Sequence, residues 1–398
     1  MATRVCSYSK INLGLAIGPV RPDGFHELAT LYQTLTLHDL VTVEARRITS
    51  EPTSQKRDAH PSQQAGRGPR DVGHPLSKIT LTTNHPQVPV DARNTAWKMV
   101  ELALGRMKVA AEVAIHIEKN LPVQGGLGAG SANAAAALIG LERELRLALP
   151  ESARLELAAE VGSDVPLFLL GGAVMGTGRG ERVSAMPELP ATPCVVAVPE
   201  LGVSTPQAFR DWDERQTKEI EADARASLTS SPQPGRLEEL SHVYASVLGV
   251  RPATEQTPDT SGIVRGLNPE SKQDSLEGKS PKQGSTWNGL AGNTLLALVR
   301  TGIENDFEQV VFPQYPFLRE IKRLLMGPPA GVSTDTTDDS SGSAFYAALS
   351  GSGSALFGLY RSETDARAAQ QRVQATGCKA ILTETLPRQE YWRRMFAE

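Results

Sequence analysis

A run of glycines leads directly into an alanine-rich segment near residue 130. Residues 121–135 read LPVQGGLGAGSANAA, and apolar residues then recur every three or four positions as far as Leu145. This pattern predicts a glycine turn at the N-terminus of a helix. Glycines let the backbone approach a ligand closely, the helix start offers unpaired N–H groups, and Ser131 adds a hydroxyl. The segment therefore suits a polyphosphate, although a purely structural strand-to-helix turn explains it equally well.

Two familiar nucleotide-binding motifs do not account for these glycines. A Walker A loop requires GxxxxGK[ST], and before the Gly-Lys-Ser of residues 278–280 Gln273 stands where the first glycine belongs. A dinucleotide fingerprint requires GxGxxG, but Asn133 stands three residues after Gly130. The sequence therefore disfavours both a P-loop enzyme and a dinucleotide-dependent oxidoreductase.

The rest of the chain mixes strand and helix patterns. Apolar residues occupy every second position from Ile11 to Ile17, which is typical of a half-buried strand and places Lys10 and Asn12 on one side. We predict further strands at 40–46, 79–82, 109–117 and 194–198. We predict helices at 94–107, 134–145, 153–161, 205–209, 290–301 and 306–325, the last with a break near 313–316. Order is predicted to fade after Asp211. This mixture favours an α+β fold over a regular doubly wound sheet.

Three segments lack apolar periodicity and are rich in polar residues, namely 49–77, 226–285 and 327–343. We interpret them as disordered insertions, and the first of them as a mobile loop between paired strands. The chain has 398 residues, including 35 Gly and 27 Pro. Without the three segments, its length suits two domains of ordinary size.

Charge and cysteine content exclude several classes of protein. With 41 Lys and Arg against 45 Asp and Glu the net charge is −4, and no basic run offers a surface for nucleic acid. The longest uncharged stretch, 120–141, is interrupted by Pro122 and glycines, so no membrane span or membrane partner is predicted. Cys6, Cys194 and Cys378 have neither disulfide nor zinc spacing, and the N-terminus lacks the apolar region of a secretory signal. We expect a cytoplasmic protein without a protein-held metal.

Three motifs in order along the chain resemble those of a known family. Residues 122–135 (PVQGGLGAGSANAA) are similar to the phosphate-binding motif of the GHMP small-molecule kinases, named for galacto-, homoserine, mevalonate and phosphomevalonate kinases. Residues 7–13 (SYSKINL) resemble the N-terminal motif of that family, and residues 349–357 (LSGSGSALF) resemble its C-terminal glycine motif. The resemblance implies a two-domain α+β fold: a ribosomal-protein-S5-like domain at 1–190 and a ferredoxin-like α/β domain at 191–398, with the three irregular insertions.

The resemblance also implies a catalytic pair and an ATP site. Asp164 would accept the proton of a substrate hydroxyl, and Lys10 would stabilise the developing charge. Taken alone, Asp164 would be a helix cap and Lys10 a solvent-facing strand residue. Magnesium would arrive with ATP, and Ala132 stands where the family usually has a second serine. The residues implied to bind ATP are Pro122, Val123, Gln124, Gly125, Gly126, Leu127, Gly128, Ala129, Gly130, Ser131 and Ala132.

Four further segments resemble the family members that act on a cytidine diphosphate alcohol. These segments are residues 21–28 (RPDGFHEL), 162–168 (GSDVPLF), 202–206 (GVSTP) and 305–308 (NDFE). The resemblance implies that Phe25 and Phe209 stack on either face of the cytosine and that His26 contacts its edge. The residues implied to bind this small-molecule substrate are Asn12, Phe25, His26, Thr205, Pro206 and Phe209. Without the family, both phenylalanines would be core residues.

Two alternative functions stay open. A kinase for another small alcohol, such as homoserine, would share the fold but would not need Phe25, His26 and Phe209. A catalytically inactive nucleotide-binding protein would have no use for Lys10 and Asp164, which this chain retains. We expect a monomer or a weak homodimer.

Overall fold

The computed structural model describes residues 2–48, 77–123, 125–226, 304–327 and 342–398. The three predicted insertions, apart from their end residues, lie outside these ranges, as do Gln124 and the helix predicted at 290–301. None of the helices in the described ranges combines the length and the apolar composition needed to cross a membrane.

The first half of the chain forms a six-stranded sheet. Its strands are β1 (Thr3–Val20), β2 (His26–Arg47), β3 (Lys78–Thr83), β4 (Ala111–Glu118), β5 (Ala173–Thr177) and β6 (Arg182–Ala185). The order is β3-β4-β2-β5-β6, with β1 paired to β2, and only the β3–β4 pair is parallel. The prediction that the first insertion joins paired strands is wrong, because β4, which comes later in the chain, lies between β2 and β3.

Strand β1 is buried on both faces, so the prediction of a half-buried strand is also wrong. Ile11 and Leu13 pack in a core that includes residues of a second sheet. Lys10 and Asn12 share the other side, as predicted, but are only 3% and 2% exposed. Glycine loops cover them: the Lys10 amide donates to the Leu127 carbonyl oxygen at 3.0 Å. Alternation of residue types reports the two faces of a strand, but not what later segments place over each face.

Three helices follow the sheet strands in the same half, close to the predicted positions. They are α1 (Thr95–Met107), α2 (Ala129–Leu145) and α3 (Glu151–Val161). The side chain of Asn94 caps α1 by accepting from the Ala96 amide. Most of α2 is buried, because its alanines and Gly140 allow it to lie close to β1 and β2. This close packing holds the start of α2 beside β1.

The second half forms a four-stranded antiparallel sheet in the order β10-β7-β9-β8. Its strands are β7 (Pro193–Val198), β8 (Tyr346–Leu349), β9 (Leu356–Leu359) and β10 (Lys379–Glu384). The helices described in this half are α4 (Thr205–Ala226), α5 (Glu308–Gln314), α6 (Pro316–Met326), α7 (Glu363–Gln374) and α8 (Arg388–Arg393). The prediction that order fades after Asp211 is wrong. Helix α4 continues because Trp212, 4% exposed, extends the apolar face begun by Ala208.

The chain end returns to the first sheet. The Leu386 amide donates to the Thr34 carbonyl oxygen at 2.8 Å, and the Tyr391 hydroxyl donates to the Phe168 carbonyl oxygen at 2.6 Å. Helix α8 thereby supports the short 3-10 helix Pro166–Leu169, which begins two residues after Asp164. The domain boundary between 190 and 191 stays a prediction.

Candidate active site

Lys10 and Asp164 form an ion pair at the junction of β1 and the α3–Pro166 segment. The Lys10 ammonium nitrogen lies 3.4 Å from Asp164 Oδ2 and donates to Asn12 Oδ1 at 2.6 Å. Lys10 is almost fully buried, whereas the Asp164 side chain is 32% exposed. The carboxylate accepts from the Tyr32 hydroxyl at 3.0 Å and does not cap a helix among the described residues. A carboxylate with one open side, held beside a cation, can accept a proton from a bound hydroxyl.

Two neutral groups hold this pair in place. Asn12 donates from Nδ2 to Thr30 Oγ1 at 2.8 Å, and the Thr30 hydroxyl donates to the Gly14 carbonyl oxygen. Asn12 therefore presents its oxygen to Lys10. Burial raises the pKa of Tyr32 well above its ordinary value, and the charge of Asp164 raises it further. Tyr32 thus keeps its proton and donates to Asp164.

The glycine loop packs against the C-terminal glycine motif. Gly126 and Gly128 have φ of +73° and +70°, and α2 begins at the next residue, Ala129. The Ser350 hydroxyl donates to the Gly126 carbonyl oxygen at 3.0 Å, and the Ala355 amide donates to the Gly125 carbonyl oxygen at 3.2 Å. The two glycine motifs, more than 200 residues apart in the chain, therefore form one structure.

A cavity of about 380 Å³ lies over the start of α2. Among the residues predicted to bind ATP, Ala132 does not line it, because it is 2% exposed within the core. Gln124 lies outside the described residues. The predicted residues that do line the cavity are Pro122, Val123, Gly125, Gly126, Leu127, Gly128, Ala129, Gly130 and Ser131. Backbone N–H groups at a helix start and an absence of side-chain bulk suit a polyphosphate.

A buried carboxylate anchors the segment that enters this loop. Asp39 Oδ1 accepts from the amides of Asn120 and Leu121 at 2.8 and 2.7 Å, and Oδ2 accepts from the Lys119 ammonium at 2.6 Å. Burial lowers the pKa of Lys119, while the charge of Asp39 opposes that shift. Lys119 also lines the cavity. Sequence analysis missed both residues, since neither Asp39 nor Lys119 belongs to a motif that it identified.

A second cavity, of about 610 Å³, adjoins the first and contains the Lys10–Asp164 pair. Gly126 and Gly128 line both cavities. All six predicted substrate residues line the second one, namely Asn12, Phe25, His26, Thr205, Pro206 and Phe209. The structure therefore brings the predicted catalytic pair between the glycine loop and the predicted cytidine site.

The aromatic residues adopt an arrangement that the sequence did not predict. The His26 ring stacks on Phe209 with centroids 4.7 Å apart and planes at 13°, and its Nε2 lies 2.7 Å from Asp213 Oδ1. Phe25 is 52% exposed and is therefore not a core residue. Since His26 covers one face of Phe209, a base stacked on that face would have to displace it. The cytosine arrangement stays a prediction.

Comparison with known proteins identifies the family. Residues 94–172 match the family model described as GHMP kinases N terminal domain, and residues 335–378 match GHMP kinases C terminal. The 4-diphosphocytidyl-2-C-methyl-D-erythritol kinase of Synechococcus sp. (strain JA-2-3B'a(2-13)) is 30% identical over 100% of this chain and 94% of its own length. The chain belongs to the GHMP kinase family.

Solved GHMP kinases support the fold. A crystal structure of 4-(cytidine 5'-diphospho)-2C-methyl-D-erythritol kinase has a TM-score of 0.56 at 24% identity, covering 96% of this chain and 98% of that one. Homoserine kinase from Cytophaga hutchinsonii has a TM-score of 0.55 at 17% identity, covering 97% of this chain and 95% of that one. The GHMP kinase fold is therefore confirmed. Because the two scores are nearly equal, fold similarity alone does not select the substrate.

Tertiary structure adds site residues that the GHMP kinase motifs did not include. Tyr32 faces Asn12 in the β1–β2 register and thereby reaches Asp164. An alternation signal around Thr30 and Tyr32 was available, but the strand was predicted only from residue 40 onward. Asp213 joins the site because α4 extends past the predicted end of order.

Proposed function

We propose that this chain transfers the terminal phosphoryl group of ATP to the 2-hydroxyl of 4-diphosphocytidyl-2-C-methyl-D-erythritol, an intermediate of the non-mevalonate isoprenoid pathway. The position of the Lys10–Asp164 pair carries the proposal. The pair lies in the larger cavity, at the glycines that separate it from the cavity over α2. A hydroxyl bound beside Asp164 would therefore be adjacent to a phosphate bound by the glycine loop.

The smaller cavity fits the phosphates of ATP. Gly126 and Gly128 adopt positive φ, and a Cβ at Gly128 would come within 3.0 Å of the Lys10 and Phe168 side chains. Backbone N–H groups at the start of α2 would bind phosphate oxygens, an interaction that Ala132 in place of serine leaves intact. When bound, Mg-ATP supplies the phosphoryl group and a divalent cation that neutralises its charge. Ser131 is the hydroxyl that we propose to lie near that cation.

The chemistry requires positioning more than covalent catalysis. Phosphoryl transfer passes through a loose transition state, so the hydroxyl becomes acidic only as its bond to phosphorus forms. Asp164 orients the hydroxyl and takes its proton, while Lys10 stabilises charge on the transferring group. Asn12 and Tyr32 hold these two side chains through their hydrogen bonds. Correct placement of both reactants supplies much of the rate enhancement.

The aromatic end of the larger cavity favours a cytidyl substrate over a small amino alcohol. Phe25 offers an exposed ring on which a base can stack, and a base that displaced His26 could also stack on Phe209. A cavity of about 610 Å³ exceeds what homoserine needs. The Synechococcus relative is named for the cytidyl substrate. Homoserine kinase activity is the second candidate, because the fold of a solved homoserine kinase matches this chain about as well.

Substrate-dependent release of ADP tests the assignment. Purified protein with Mg-ATP is incubated separately with the cytidyl diphosphate alcohol, homoserine and mevalonate. We expect ADP release with the cytidyl compound alone. Release with homoserine instead would overturn the proposed substrate, and release with none of the three would favour the inactive nucleotide-binding protein.

A Phe209→Leu variant is expected to raise KM for the cytidyl substrate about 5- to 150-fold, since stacking of a base on an aromatic ring contributes about 1–3 kcal/mol. We expect kcat and KM for ATP to change less than about twofold. Steady-state kinetics with each substrate varied in turn measure these constants. The matched control is Phe317→Leu, because Phe317 is exposed and lies outside both cavities. Equal effects of the two substitutions would contradict a stacking role for Phe209.

A further inference from the structure

We propose that Arg179 binds the diphosphate group of the nucleotide alcohol; this inference rests on the proposed function. Arg179 lies in the turn between β5 and β6 and lines the cavity of about 610 Å³. The central carbon of its guanidinium is 4.9 Å from the centre of the Phe25 ring. Its side chain is 29% exposed, so it is half-buried at the wall of the site.

Among the cations that line this cavity, Arg179 is a half-buried guanidinium whose ion pair is weak: its Nε lies 3.9 Å from Glu181 Oε2, too far for a hydrogen bond. Lys10 is opposed by Asp164 at 3.4 Å. Arg210 is exposed and donates to the Gln207 side chain on the surface of α4. The charged side chains lining the cavity are Lys10, Arg179 and Arg210, with Asp164 and Asp213 as the carboxylates. Each phosphate of a nucleotide diphosphate ester carries a negative charge, which favours a cation whose N–H groups are still available for hydrogen bonds.

The guanidinium of Arg179 has unused hydrogen-bond donors. Within the described ranges it donates no hydrogen bond, and its nearest carboxylate is that of Glu181, 3.9 Å from Nε. The backbone amide of Arg179, in contrast, donates a hydrogen bond to the Glu181 carboxylate. A planar guanidinium presents parallel N–H groups that match two phosphate oxygens. A half-buried arginine that stacks on an aromatic ring with its donors free is therefore suited to an anionic ligand.

The turn places Arg179 between the two ends of the substrate site. The Leu28 amide donates to the Gly178 carbonyl oxygen at 2.7 Å, and the Gly178 amide donates to Glu27 at 3.1 Å, which ties the turn to the strand that follows Phe25. Gly180 has φ of +97°, and a Cβ there would meet the hydroxyl of Tyr32, the residue that binds Asp164. The diphosphate likewise joins the cytidine to the alcohol. The position of Arg179 thus matches that of the diphosphate in the substrate.

Kinetics of an Arg179→Met variant test the proposal. Methionine keeps an unbranched apolar chain against Phe25 but removes the charge and the donors. We expect KM for the cytidyl substrate to rise about 10- to 100-fold, since hydrogen bonds to charged groups contribute about 1.5–3 kcal/mol. We expect kcat and KM for ATP to stay within about twofold of the wild type, and Arg179→Lys to be intermediate. The matched control is Arg182→Met, because Arg182 is exposed on the same hairpin and does not line the cavity.

Binding measurements separate this role from support of the Phe25 ring. CDP and cytidine are titrated calorimetrically into the protein saturated with a non-hydrolysable ATP analogue. If Arg179 binds the diphosphate, Arg179→Met lowers the affinity for CDP at least tenfold and leaves the affinity for cytidine unchanged. Equal losses for both ligands, or no loss for either, would overturn the proposal. These titrations need no turnover, so a failure of the proposed function, recognised by absent ADP release from the wild type, is distinguished from a failure of this inference.

Discussion

An Asp164→Asn variant is expected to lose about 10²- to 10⁴-fold in kcat, the usual contribution of a positioned acid or base. Asparagine retains the size of the side chain and can still accept from Tyr32, but it cannot take the proton of the substrate hydroxyl. The negative charge that holds Lys10 at 3.4 Å is also lost. Because binding of cytidine and of ATP depends on other residues, we expect both KM values to change less than about threefold. Steady-state measurement of ADP release gives all three constants.

Glu112→Gln is the matched control for Asp164→Asn. Glu112 pairs with Arg46 on the exposed side of β4, away from both site cavities, and the same carboxylate-to-amide change there removes a surface ion pair of little consequence. We expect it to leave kcat unchanged. A kcat of Asp164→Asn within about threefold of the wild type would show that Asp164 is not the base. A rise in KM without any fall in kcat would also reject the role of Asp164 as the base.

Gly126→Ala is expected to weaken both the ATP site and the fold. Gly126 has φ of +73°, and a Cβ there would lie inside contact distance of the Ser350 carbonyl oxygen. Forcing another residue into such a conformation costs about 1–3 kcal/mol, and backbone on both sides of the contact leaves little room for adjustment. We expect the free energy of unfolding to fall by about 2–3 kcal/mol and KM for ATP to rise at least about tenfold. Urea denaturation and steady-state kinetics measure the two effects.

Gly105→Ala provides the comparison. Gly105 is an exposed position within α1, and a Cβ added there meets nothing within 4 Å. We expect a gain of about 0.5–1 kcal/mol in the free energy of unfolding, because alanine favours a helix, and no change in KM for ATP. If Gly126→Ala matched Gly105→Ala in stability and kinetics, the close contact between the two glycine motifs would be refuted.

Local patterns were sufficient for much of the secondary structure and for the site's principal motifs. The common side of Lys10 and Asn12 followed from a two-residue repeat, and their hydrogen bond of 2.6 Å confirms it. The start of α2 followed from glycines before an apolar repeat. In both cases the determining interaction lies within a few residues of chain, so the sequence contains it.

Contacts between distant segments escaped prediction. Strand β4 separates β2 from β3, and the His26 ring lies on Phe209, 183 positions further along the chain. The prediction that order ends after Asp211 was wrong, because Trp212 packs in a core that other segments of the chain assemble. No local periodicity encodes which remote surface an element meets.

By itself, the amino-acid sequence determined the α+β class and the glycine turn before α2, since both depend on residue type and short spacing. Lys10 and Asp164 became catalytic candidates only because their motifs resemble those of the GHMP kinases. Only the tertiary structure placed Tyr32 on Asp164, Ser350 on Gly126 and the guanidinium of Arg179 over Phe25. These contacts arise when two sheets and their loops pack together, because burial brings groups from remote parts of the chain within bonding distance.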